Sequence, residues 1–472
     1  MTQQLKSHVT ALTIRYVSAA AGRCPRIELA RVYARMCTKK AAIKQWSGVA
    51  ALLPNPLSSM QLLPLLSLPL LAALLLQASA EADVHARMYT PASELEGRKV
   101  FILEESYSNH NETVRAALLR RGWAENKKGW SKRWDLKWTW DFSRAKLEGQ
   151  GQDVRPVNHF PSSHLLSHKD ELWQLLVSKY GGDGAMKLMP RTFNLSSSAS
   201  AAEFQYHASS SPSQFSSAAP AAVKWVVKPG RLARGTGVSV VASAADAVEA
   251  ARLLNCSSTV VIAQEYVQPP MLLHGHKFDM RVFFLVSQWS PATAYVYSSP
   301  YARVAPLPYS DDDLSKMAHV TNRQISKHFQ GTDNRFGASW QWRHSQLDEY
   351  LHASGSGSMW RSKLWPSILA LARSIAHALP PSGVRSGSFQ LFGLDVLADA
   401  HGGVWLCEVN SGPGLHMITD VVRGIYPSMV DQMFSIVLGD AGPDASRPVA
   451  SGRWVQVVKA GVDVEEGARD EL

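Results

Sequence analysis

Cysteine is scarce in this chain, and that scarcity excludes several classes of protein. Only Cys24, Cys37, Cys256 and Cys407 occur among 472 residues, and no two of them form a C-x-x-C pair. A structural zinc site needs clustered cysteine and histidine ligands, and disulfide frameworks are typical of small secreted domains. We therefore expect neither. With 46% apolar and 19% charged residues, the chain is long enough for two or three packed subdomains.

Acidic residues are nearly missing from the first 50 residues, which hold nine basic side chains and the single acid Glu28. This segment carries +8 of the formal net charge of +10, which leaves about +2 for the rest of the chain. A body so close to neutral gives no reason to expect a nucleic-acid partner. The five tryptophans of residues 122–142 accordingly predict a half-buried sheet rather than a stacking platform for bases.

Both ends of the chain resemble targeting signals. Residues 60–80 are an uncharged, leucine-rich run that ends on small residues, like a secretory signal peptide or a membrane anchor, and the basic residues 1–59 would be a presequence. Residues 469–472, Arg-Asp-Glu-Leu, are close to the tail that retains proteins in the endoplasmic reticulum. We therefore expect the lumen of the endoplasmic reticulum, with the cytoplasm or cilium as the alternative. A membrane is expected only if residues 60–80 form an uncleaved anchor.

Strand and helix patterns alternate along the body of the chain and predict a mixed α/β fold. An apolar strand followed by an amphipathic helix opens residues 97–160, which indicates a small N-terminal α/β domain. Residues 161–267 and 268–440 would form a central and a C-terminal subdomain. The tail, residues 441–472, is rich in glycine, proline and charge and is expected to be flexible.

Two local features of the central subdomain carry specific predictions. A helix is expected from the N-cap Ser167 to Tyr180, because acids occupy its first turn and two glycines follow it. Residues 196–222 are a Ser/Ala-rich stretch of low complexity, which predicts a flexible insertion.

A glycine-rich hairpin is the first candidate ligand site. Residues 225–229 and 238–241 have the composition of strands, and the connection between them ends in Arg234, Gly235, Thr236 and Gly237. Backbone N–H groups of such a flap can cover a triphosphate while Lys228 supplies positive charge. By itself the pattern is weak evidence, because a glycine-containing hairpin is more often only a turn and the spacing is not that of a P-loop.

Charged side chains at the ends of strands form the next candidates. The strand that ends in Gln264, Glu265, Tyr266 and Val267 is either core or offers backbone groups to an adenine edge. In the following strand Lys277, Asp279 and Arg281 share one face, because side chains alternate. These three charges either pair with each other or face a charged ligand, and we favour the ligand.

Two apolar strands joined by a turn carry the third candidate. Asp395 lies on the first strand, and Glu408 and Asn410 lie two residues apart on the second. Their oxygens can therefore converge, and hard oxygen ligands suit a Mg²⁺ ion that bridges nucleotide phosphates.

Taken in chain order, these motifs resemble those of the tubulin tyrosine ligase-like family. The resemblance covers about residues 98–437. Its segments read WVVKPG with RGTG, QEYV, KFDMR, HVTN, LFGLDVL and CEVNSGPGLH, and VNHFP (157–161) and HKDEL (168–172) match before them. Each segment alone is weak, but six in the family's order are not explained by chance. The resemblance implies an ATP-grasp fold, with a small N-terminal α/β domain before the ATP-grasp pair of subdomains.

The resemblance also implies roles for single residues. Lys228 would contact the phosphates of ATP, the loop from Arg234 to Gly237 would cover them, and Gln264 to Val267 would hold the adenine. The three charges Lys277, Asp279 and Arg281 would face the nucleotide and an acyl phosphate. Arg303 matches the arginine used for the incoming amino acid, His319 and Asn322 stand at the site edge, and the implied magnesium ligands are Asp395, Glu408 and Asn410.

The implied function is an ATP- and Mg²⁺-dependent ligase that forms an amide between a protein carboxylate and a free amino acid. Glycine-adding members resemble the chain most, and glutamate-adding members come second. The acceptor would be a protein with an acidic tail, tubulin by resemblance. Residues 411–414 depart from the family's usual Ala-Ser-Pro and leave acceptor choice open. The alternatives are the same chemistry on a protein of the secretory pathway, or an inactive binding module.

Overall fold

The computed structural model describes residues 95–103, 112–127, 133–140, 155–210, 213–215, 223–232, 235–254, 260–327, 329, 331, 333–337, 339–381, 387–440 and 452–464. The predicted presequence, the signal-like run and the Arg-Asp-Glu-Leu tail lie outside these residues. Among the helices that are described, none is both long and apolar enough to cross a membrane.

The first described elements form a small parallel sheet with one helix. Strands β1 (Val100–Leu103), β2 (Ala124–Glu125) and β3 (Leu136–Trp138) pair in the order β2-β1-β3, and helix α1 (Glu112–Arg120) follows β1. The tryptophan-rich segment contributes β2 and β3, so the predicted sheet is confirmed for its described residues. Trp123 and Trp134 are buried there.

The next two helices correct the predicted start and end of the helix at residues 167–180. Ser167 closes the short helix α2 (His164–Ser167), and His168 is the N-cap of helix α3 (Lys169–Met186). Gly181 has φ 71° and ψ 171°, a conformation open to glycine alone. This glycine kinks the helix rather than ending it, because the last turn packs the buried Ala185 against the core.

A four-stranded antiparallel sheet forms one wall of the central part. Its order is β4-β7-β5-β6, with β4 (Thr192–Asn194), β5 (Trp225–Pro229), β6 (Ser239–Val241) and β7 (Val261–Glu265). Helix α5 (Ala244–Leu254) covers this sheet through small buried residues, Ala247 and Ala251.

The prediction that residues 196–222 form a flexible insertion is wrong for the described residues at its start. Residues Ser198–Ser210 form helix α4. Alanine favours helix, and Phe204 is fully buried against Phe193 and Trp225, with ring centroids 5.4 and 4.8 Å away. One aromatic anchor therefore fixes a segment whose composition alone indicates disorder.

The largest sheet is built around one long strand, β9 (His276–Gln288), which pairs with β8, β10, β11 and β13. Beyond these neighbours, β12 pairs with β11, β14 with β13, and β15 with β10 and β16. The remaining strands are β8 (Leu272–Leu273), β10 (Thr293–Tyr297), β11 (Tyr301–Val304), β12 (Gln341–Arg343), β13 (Gln390–Ala398), β14 (Val404–Asn410), β15 (Trp454–Lys459) and β16 (Val462–Asp463).

The helices of this part flank the large sheet. They are α6 (Lys316–His319), α7 (Arg323–Ser326), α8 (His344–Leu351), α9 (Trp365–Ala378), α10 (Asp420–Arg423) and α11 (Tyr426–Leu438), with π-helical segments at His352–Ser356 and Trp360–Leu364. The predicted mixed α/β class is confirmed.

The predicted flexible tail is also wrong for its described part, residues 452–464. Strand β15 pairs with β10 on the large sheet. Val455, Val457 and Val458 are buried, and burying each such side chain contributes about 1.5–3 kcal/mol. The apolar run that begins at Trp454 therefore outweighs the charged and glycine-rich residues around it.

Strand β9 is buried on both faces, and this positions the site. Its even-numbered residues from Phe278 to Val286 pack in the main core, under α9. On the other face, Phe283 and Leu285 pack against α1 and α11. Since side chains alternate along a strand, the charged residues Lys277, Asp279 and Arg281 continue this second face, where the apolar layer ends.

Candidate functional site

A cleft lies between the four-stranded sheet and the large sheet. It encloses about 790 Å³, including its opening to solvent. Thirteen of the residues predicted from the sequence line this cleft: Lys228, Gly235, Gln264, Glu265, Tyr266, Val267, Lys277, Asp279, Arg303, His319, Asn322, Asp395 and Glu408. Residues more than 150 positions apart in the chain therefore converge on one space.

Lys228 on strand β5 points into this cleft and is held in place by Gln264. Its Nζ donates to Gln264 Oε1 at 2.8 Å, and Gln264 Nε2 donates to Thr192 Oγ1 at 2.9 Å. The Cys407 carbonyl oxygen and Sγ lie 3.4 and 3.6 Å from the same Nζ. A buried lysine without a carboxylate partner in these contacts is ready for an anionic ligand.

Only part of the glycine-rich hairpin lines the cleft. Gly235 and Gly237 both have φ 72°, the left-handed region that favours glycine. Gly235 lines the cleft, whereas Thr236 and Gly237 do not. A Cβ at Gly237 would meet Pro229 at 2.8 Å, so this glycine lets the flap pack on its own strand. Arg234 lies outside the described residues.

Most hydrogen-bonding groups at the strand end from Gln264 to Val267 already have partners within the protein. Glu265 accepts from Ser213 Oγ at 2.6 Å and from the Gln214 N–H at 2.7 Å, and burial raises its pKa. The N–H groups of Glu265 and Tyr266 donate to backbone carbonyls. Within the described part of the chain no partner is found for the Val267 N–H, which leaves an open hydrogen-bond donor at the cleft.

A buried network of two arginines and two aspartates forms the floor of the cleft. Arg303 donates to both oxygens of Asp279, from Nε at 2.7 Å and from an Nη at 2.5 Å, and lies 2.8 Å from Asp395 Oδ2. Arg281 Nε donates to Asp395 Oδ1 at 2.6 Å. Thr321 Oγ1 donates to Asp279 Oδ2 at 2.6 Å. Asp279 and Arg281 therefore pair with residues of the neighbouring strands, Arg303 and Asp395, and no ion pair joins the three predicted charges to each other among the described residues.

The charges in this network fix its protonation. Burial alone would raise the pKa of Asp395, but Arg281 and Arg303 outweigh burial and hold that pKa well below its usual range. Conversely, the aspartates outweigh burial at the arginines and raise the pKa of Arg303 well above its ordinary value. Two positive and two negative charges are therefore retained out of water, with fixed geometry.

Arg281 itself is behind the cleft rather than in it. It does not line the cavity, and Gly393 lies so close that a Cβ there would meet Arg281 Cδ at 3.1 Å. The structure thus places this predicted catalytic residue as a support for Asp395, while Arg303 faces the cavity.

Lys277 has the most unusual ionisation in the cleft. It is buried, with Nζ 3.8 Å from the centroid of the Tyr266 ring. Burial lowers its pKa to about 7, against the opposing effect of Cys407 and Asp279. A lysine that is half-neutral near physiological pH gains its proton when an anionic ligand arrives.

The predicted magnesium ligands lie on one hairpin, as expected. Asp395 on β13 is the register partner of Glu408 on β14, and Gly393 is the partner of Asn410. Asn410 Nδ2 donates to the Gly393 carbonyl at 3.2 Å, and Asn410 does not line the cleft itself. Glu408 pairs with Lys169, whose Nζ lies 3.1 Å away.

These ligands fit a magnesium ion only if the carboxylates are combined with other oxygen donors. No group of three His, Cys, Asp or Glu side chains in the described ranges can hold a metal ion. Two carboxylates with an amide oxygen and phosphate oxygens are nevertheless the donor types that Mg²⁺ prefers. Both carboxylates now face cations of the protein, which compensate the same charge that a metal ion would.

The edge of the cleft is formed by residues 319–322. Tyr266 Oη and His319 Nδ1 lie 2.7 Å apart, and His319 also contacts the carbonyl of Asp313. Burial lowers the pKa of His319. Asn322 accepts from the Gln324 N–H at 2.9 Å and caps helix α7, so this predicted catalytic side chain has a structural role as well.

Sequence reasoning missed three residues at this site: Lys169, Thr321 and Cys407. Lys169 is the most informative, because it contacts both Glu408 and the Leu232 carbonyl at 2.9 Å. It lies in the first turn of helix α3, more than 200 residues before Glu408. A charged residue among the matched HKDEL residues was the only signal available, and nothing local indicated its partner.

Comparisons with known proteins agree with these motifs. The model of the tubulin-tyrosine ligase family matches residues 147–444. The chain is similar to tubulin monoglycylase TTLL3 of Danio rerio, with 30% identity over 220 residues that cover 45% of this chain and 28% of the relative. Protein monoglycylase TTLL8 of Homo sapiens is 30% identical over 223 residues (45% and 26%). Tubulin polyglutamylase TTLL5 of Mus musculus is 27% identical over 345 residues (69% and 24%). The chain therefore spans about a quarter of the length of these relatives.

Proposed function

The chain belongs to the tubulin-tyrosine ligase family, and from that premise we propose that it is an ATP- and Mg²⁺-dependent ligase that joins a free amino acid to a carboxylate of an acceptor protein. One observation carries the proposal. Two buried lysines, a bidentate arginine and two register-paired carboxylates line one cleft, which is the set of charges needed to hold a triphosphate beside a carboxylate.

The chain's own residues would divide the work by charge. Lys228 and Lys277 would bind phosphate oxygens, and the Val267 N–H would hold the adenine edge. Asp395, Glu408 and Asn410 would hold Mg²⁺, which when bound draws phosphate oxygens together and neutralises their charge.

Arg303 would orient the carboxylate of the incoming amino acid. Its Nε and one Nη are held by Asp279, and no partner of the other Nη is found among the described residues. Because Asp279 and Asp395 already fix the guanidinium, the remaining Nη is ready for a further carboxylate at little further entropic cost.

In the proposed reaction, the acceptor carboxylate oxygen attacks the γ-phosphorus of ATP and releases ADP. The amine of the amino acid then attacks the acyl carbon, phosphate leaves, and an amide forms with loss of one amine proton. No protein nucleophile is required. Burial raises the pKa of Cys407, so the thiol in the cleft stays protonated and unreactive near neutral pH.

Glycine and glutamate are both candidates for the added amino acid. Relatives named as glycylases and one named as a polyglutamylase match the chain, and the names of TTLL3 and TTLL5 give tubulin as the protein that these two relatives modify. We propose glycine first and glutamate second, with tubulin or another protein with an acidic tail as acceptor.

The decisive test is incorporation of labelled glycine or labelled glutamate into acidic-tail peptides and tubulin by the purified full chain with ATP and Mg²⁺. Glu408→Gln should abolish incorporation while the chain still unfolds in one cooperative transition, with a midpoint lowered by the loss of the carboxylate partner of the buried Lys169. Glu349→Gln, at an exposed glutamate on α8, is the matched control and should remain active. An active Glu408→Gln enzyme would reject the metal assignment, and a chain that ATP does not stabilise would be an inactive module.

The compartment is a separate proposal. The signal-like run and the Arg-Asp-Glu-Leu tail favour the endoplasmic reticulum, where the acceptor would have to be a protein other than tubulin. Microscopy of a protein tagged internally, between α4 and β5, keeps both ends free and separates this location from the cytoplasm or cilium.

A further inference from the structure

We call the cleft between the four-stranded sheet and the large sheet the nucleotide cleft. A second cleft, lined by arginines, lies beside it. It encloses about 1090 Å³, including its opening. Among the described residues of its lining Asp420 is the single acid, and the basic residues are Arg323, Arg335, Arg343 and Arg423. We call this the arginine cleft.

This excess of positive charge is local rather than a property of the whole surface. A third cleft of similar size, about 1070 Å³, lies between α3, β4 and α4. Its charged lining is mainly acidic and consists of Asp170, Asp183, Glu203 and Arg191. Two clefts of one size on one chain therefore differ in the sign of their charge.

Two links place the arginine cleft next to the part of the nucleotide cleft that holds Arg303. Gln341 lines the arginine cleft and is the antiparallel register partner of Arg303, so both side chains face the same side of the sheet, about 5 Å apart. Asn322 lines the nucleotide cleft, and the next residue, Arg323, lines the arginine cleft. A chain that extends from one cleft reaches the other within a few residues.

The arginines of this cleft are available to a ligand to different degrees. Arg335 pairs with Asp333 at 2.6 Å and Arg423 with Asp420 at 2.7 Å. Arg423 is 58% exposed and Asp420 91% exposed, so this second pair is weak and easily exchanged.

The positive charges of the other two arginines, Arg323 and Arg343, have still fewer partners. Among the residues that the structure describes, the guanidinium of Arg343 donates to one group, the backbone carbonyl of Asp420, at 3.4 Å. In the described part of the chain no ion pair or side-chain hydrogen bond of Arg323 is found. Two guanidinium groups of this cleft, those of Arg323 and Arg343, therefore have no carboxylate partner among the described residues.

We propose that the arginine cleft binds an acidic polypeptide segment of the acceptor, next to the carboxylate that the nucleotide cleft activates. The proposal rests on the proposed ligase function and adds the site where the acceptor is recognised. Guanidinium groups fit carboxylates in bidentate geometry. Ile418, 51% exposed at the cleft, offers apolar surface to the methylene groups of glutamate side chains, which a phosphate backbone would not use.

Binding of a short fluorescein-labelled glutamate-rich peptide to the full chain, followed by fluorescence anisotropy without ATP, tests the site. The double variant Arg323→Gln with Arg343→Gln should raise the Kd roughly tenfold or more, because charge-assisted hydrogen bonds are lost. The matched control is Arg252→Gln with Arg361→Gln. Both of these arginines are exposed and paired on other helices or segments, so the Kd should stay within about twofold.

A second peptide, with glutamine in place of glutamate, separates charge from shape and should bind at least about tenfold more weakly. Equal Kd values for the two peptides, or an unchanged Kd in the Arg323/Arg343 variant, would overturn the assignment. So would an RNA oligonucleotide that displaces the peptide at lower concentration than unlabelled peptide does. ATP-dependent thermal stabilisation must be equal in the variants and the unmodified chain, which keeps nucleotide binding out of the comparison.

The proposed function can fail separately. Specific peptide binding without amino acid incorporation would reject the ligase proposal and keep the peptide site. Incorporation into the peptide with an unchanged KM in the Arg323/Arg343 variant would reject the peptide site and keep the ligase.

Discussion

Arginine is used in two different ways in neighbouring clefts of this molecule. In the nucleotide cleft, Arg281 and Arg303 are buried and each is bonded to an aspartate of the same fold. In the arginine cleft, Arg343 and Arg423 are exposed, and their nearest acid, Asp420, is exposed too. Buried arginines with built-in partners hold a fixed geometry, whereas exposed arginines leave their charge for a ligand. The difference separates preorganisation for chemistry from recognition.

The largest expected effect comes from breaking the buried side of this comparison with Asp395→Asn. Arg281 then loses its carboxylate partner while it stays out of water, which should cost about 3–5 kcal/mol in the free energy of unfolding. Urea unfolding measures this cost as a lower midpoint at constant slope. Asp420→Asn removes the matched exposed aspartate and should change the same free energy by less than about 0.5 kcal/mol.

Equal losses in the two aspartate variants would contradict the comparison. The pH dependence gives a second check, because the folded pKa of Asp395 is depressed. Its contribution to stability is therefore present above the unfolded pKa of about 4 and is lost as pH falls through the folded value. The Asp395→Asn variant should lack that loss.

How much of this could be read from the sequence differs between the two clefts. The β13–β14 hairpin and the shared face of Lys277, Asp279 and Arg281 follow from alternation along a strand, and the structure confirms both. Periodicity gives the face of a side chain but not its partner across the fold. The contact of Lys169 with Glu408 was therefore missed.

The arginine cleft was missed for the same reason. Its arginines come from β12 and from short helices or loops that are separated in the chain, and no local pattern joins them. Helix α4 and strand β15 show that composition is also a limited guide to structure. Phe204 and Val457 are fully buried by tertiary packing, although the composition of their segments indicated flexibility. Composition measures the average of a segment, but one buried anchor decides its structure.

Lys277 is buried and makes no ion pair with a carboxylate in the described part of the chain. Its pKa of about 7 means that ATP binding takes up a proton above this pH, because the phosphates favour the charged form. The affinity for ATP should therefore fall as pH rises from about 7 to about 9, by at most about tenfold per pH unit. Isothermal calorimetry in buffers of different ionisation enthalpy measures both the affinity and the proton uptake.

The control for this profile is Lys277→Arg, which keeps the charge at every pH and should bind ATP with a flat dependence. Titration of His319 does not contribute to this pH dependence, because burial lowers the pKa of His319 to below the pH range measured. Identical pH profiles for the variant and the unmodified chain would exclude Lys277 as the group that takes up the proton.

Salt should affect the exposed charges of the arginine cleft more than the buried charges of the nucleotide cleft. Exposed charges are screened within about 8–10 Å at physiological salt, whereas buried pairs are screened much less. Binding of the acidic peptide should therefore weaken several-fold between about 50 and about 300 mM NaCl. Over the same range the stability difference between Asp395→Asn and the unmodified chain should remain, as urea unfolding at both salt concentrations will show. A peptide Kd independent of salt would mean that the arginine cleft is not an exposed electrostatic site.

The smallest expected effect is on the stability contribution of the exposed arginines themselves. Arg335→Gln and Arg423→Gln each remove one exposed ion pair, with Asp333 and with Asp420, and should change the free energy of unfolding by less than about 0.5 kcal/mol. Arg303→Gln, the buried counterpart, leaves Asp279 without its bidentate partner and should cost several times more. If either exposed substitution destabilised the chain as much as Arg303→Gln does, the arginines of this cleft would be part of the fold. Their conformations would then not be free to fit a ligand.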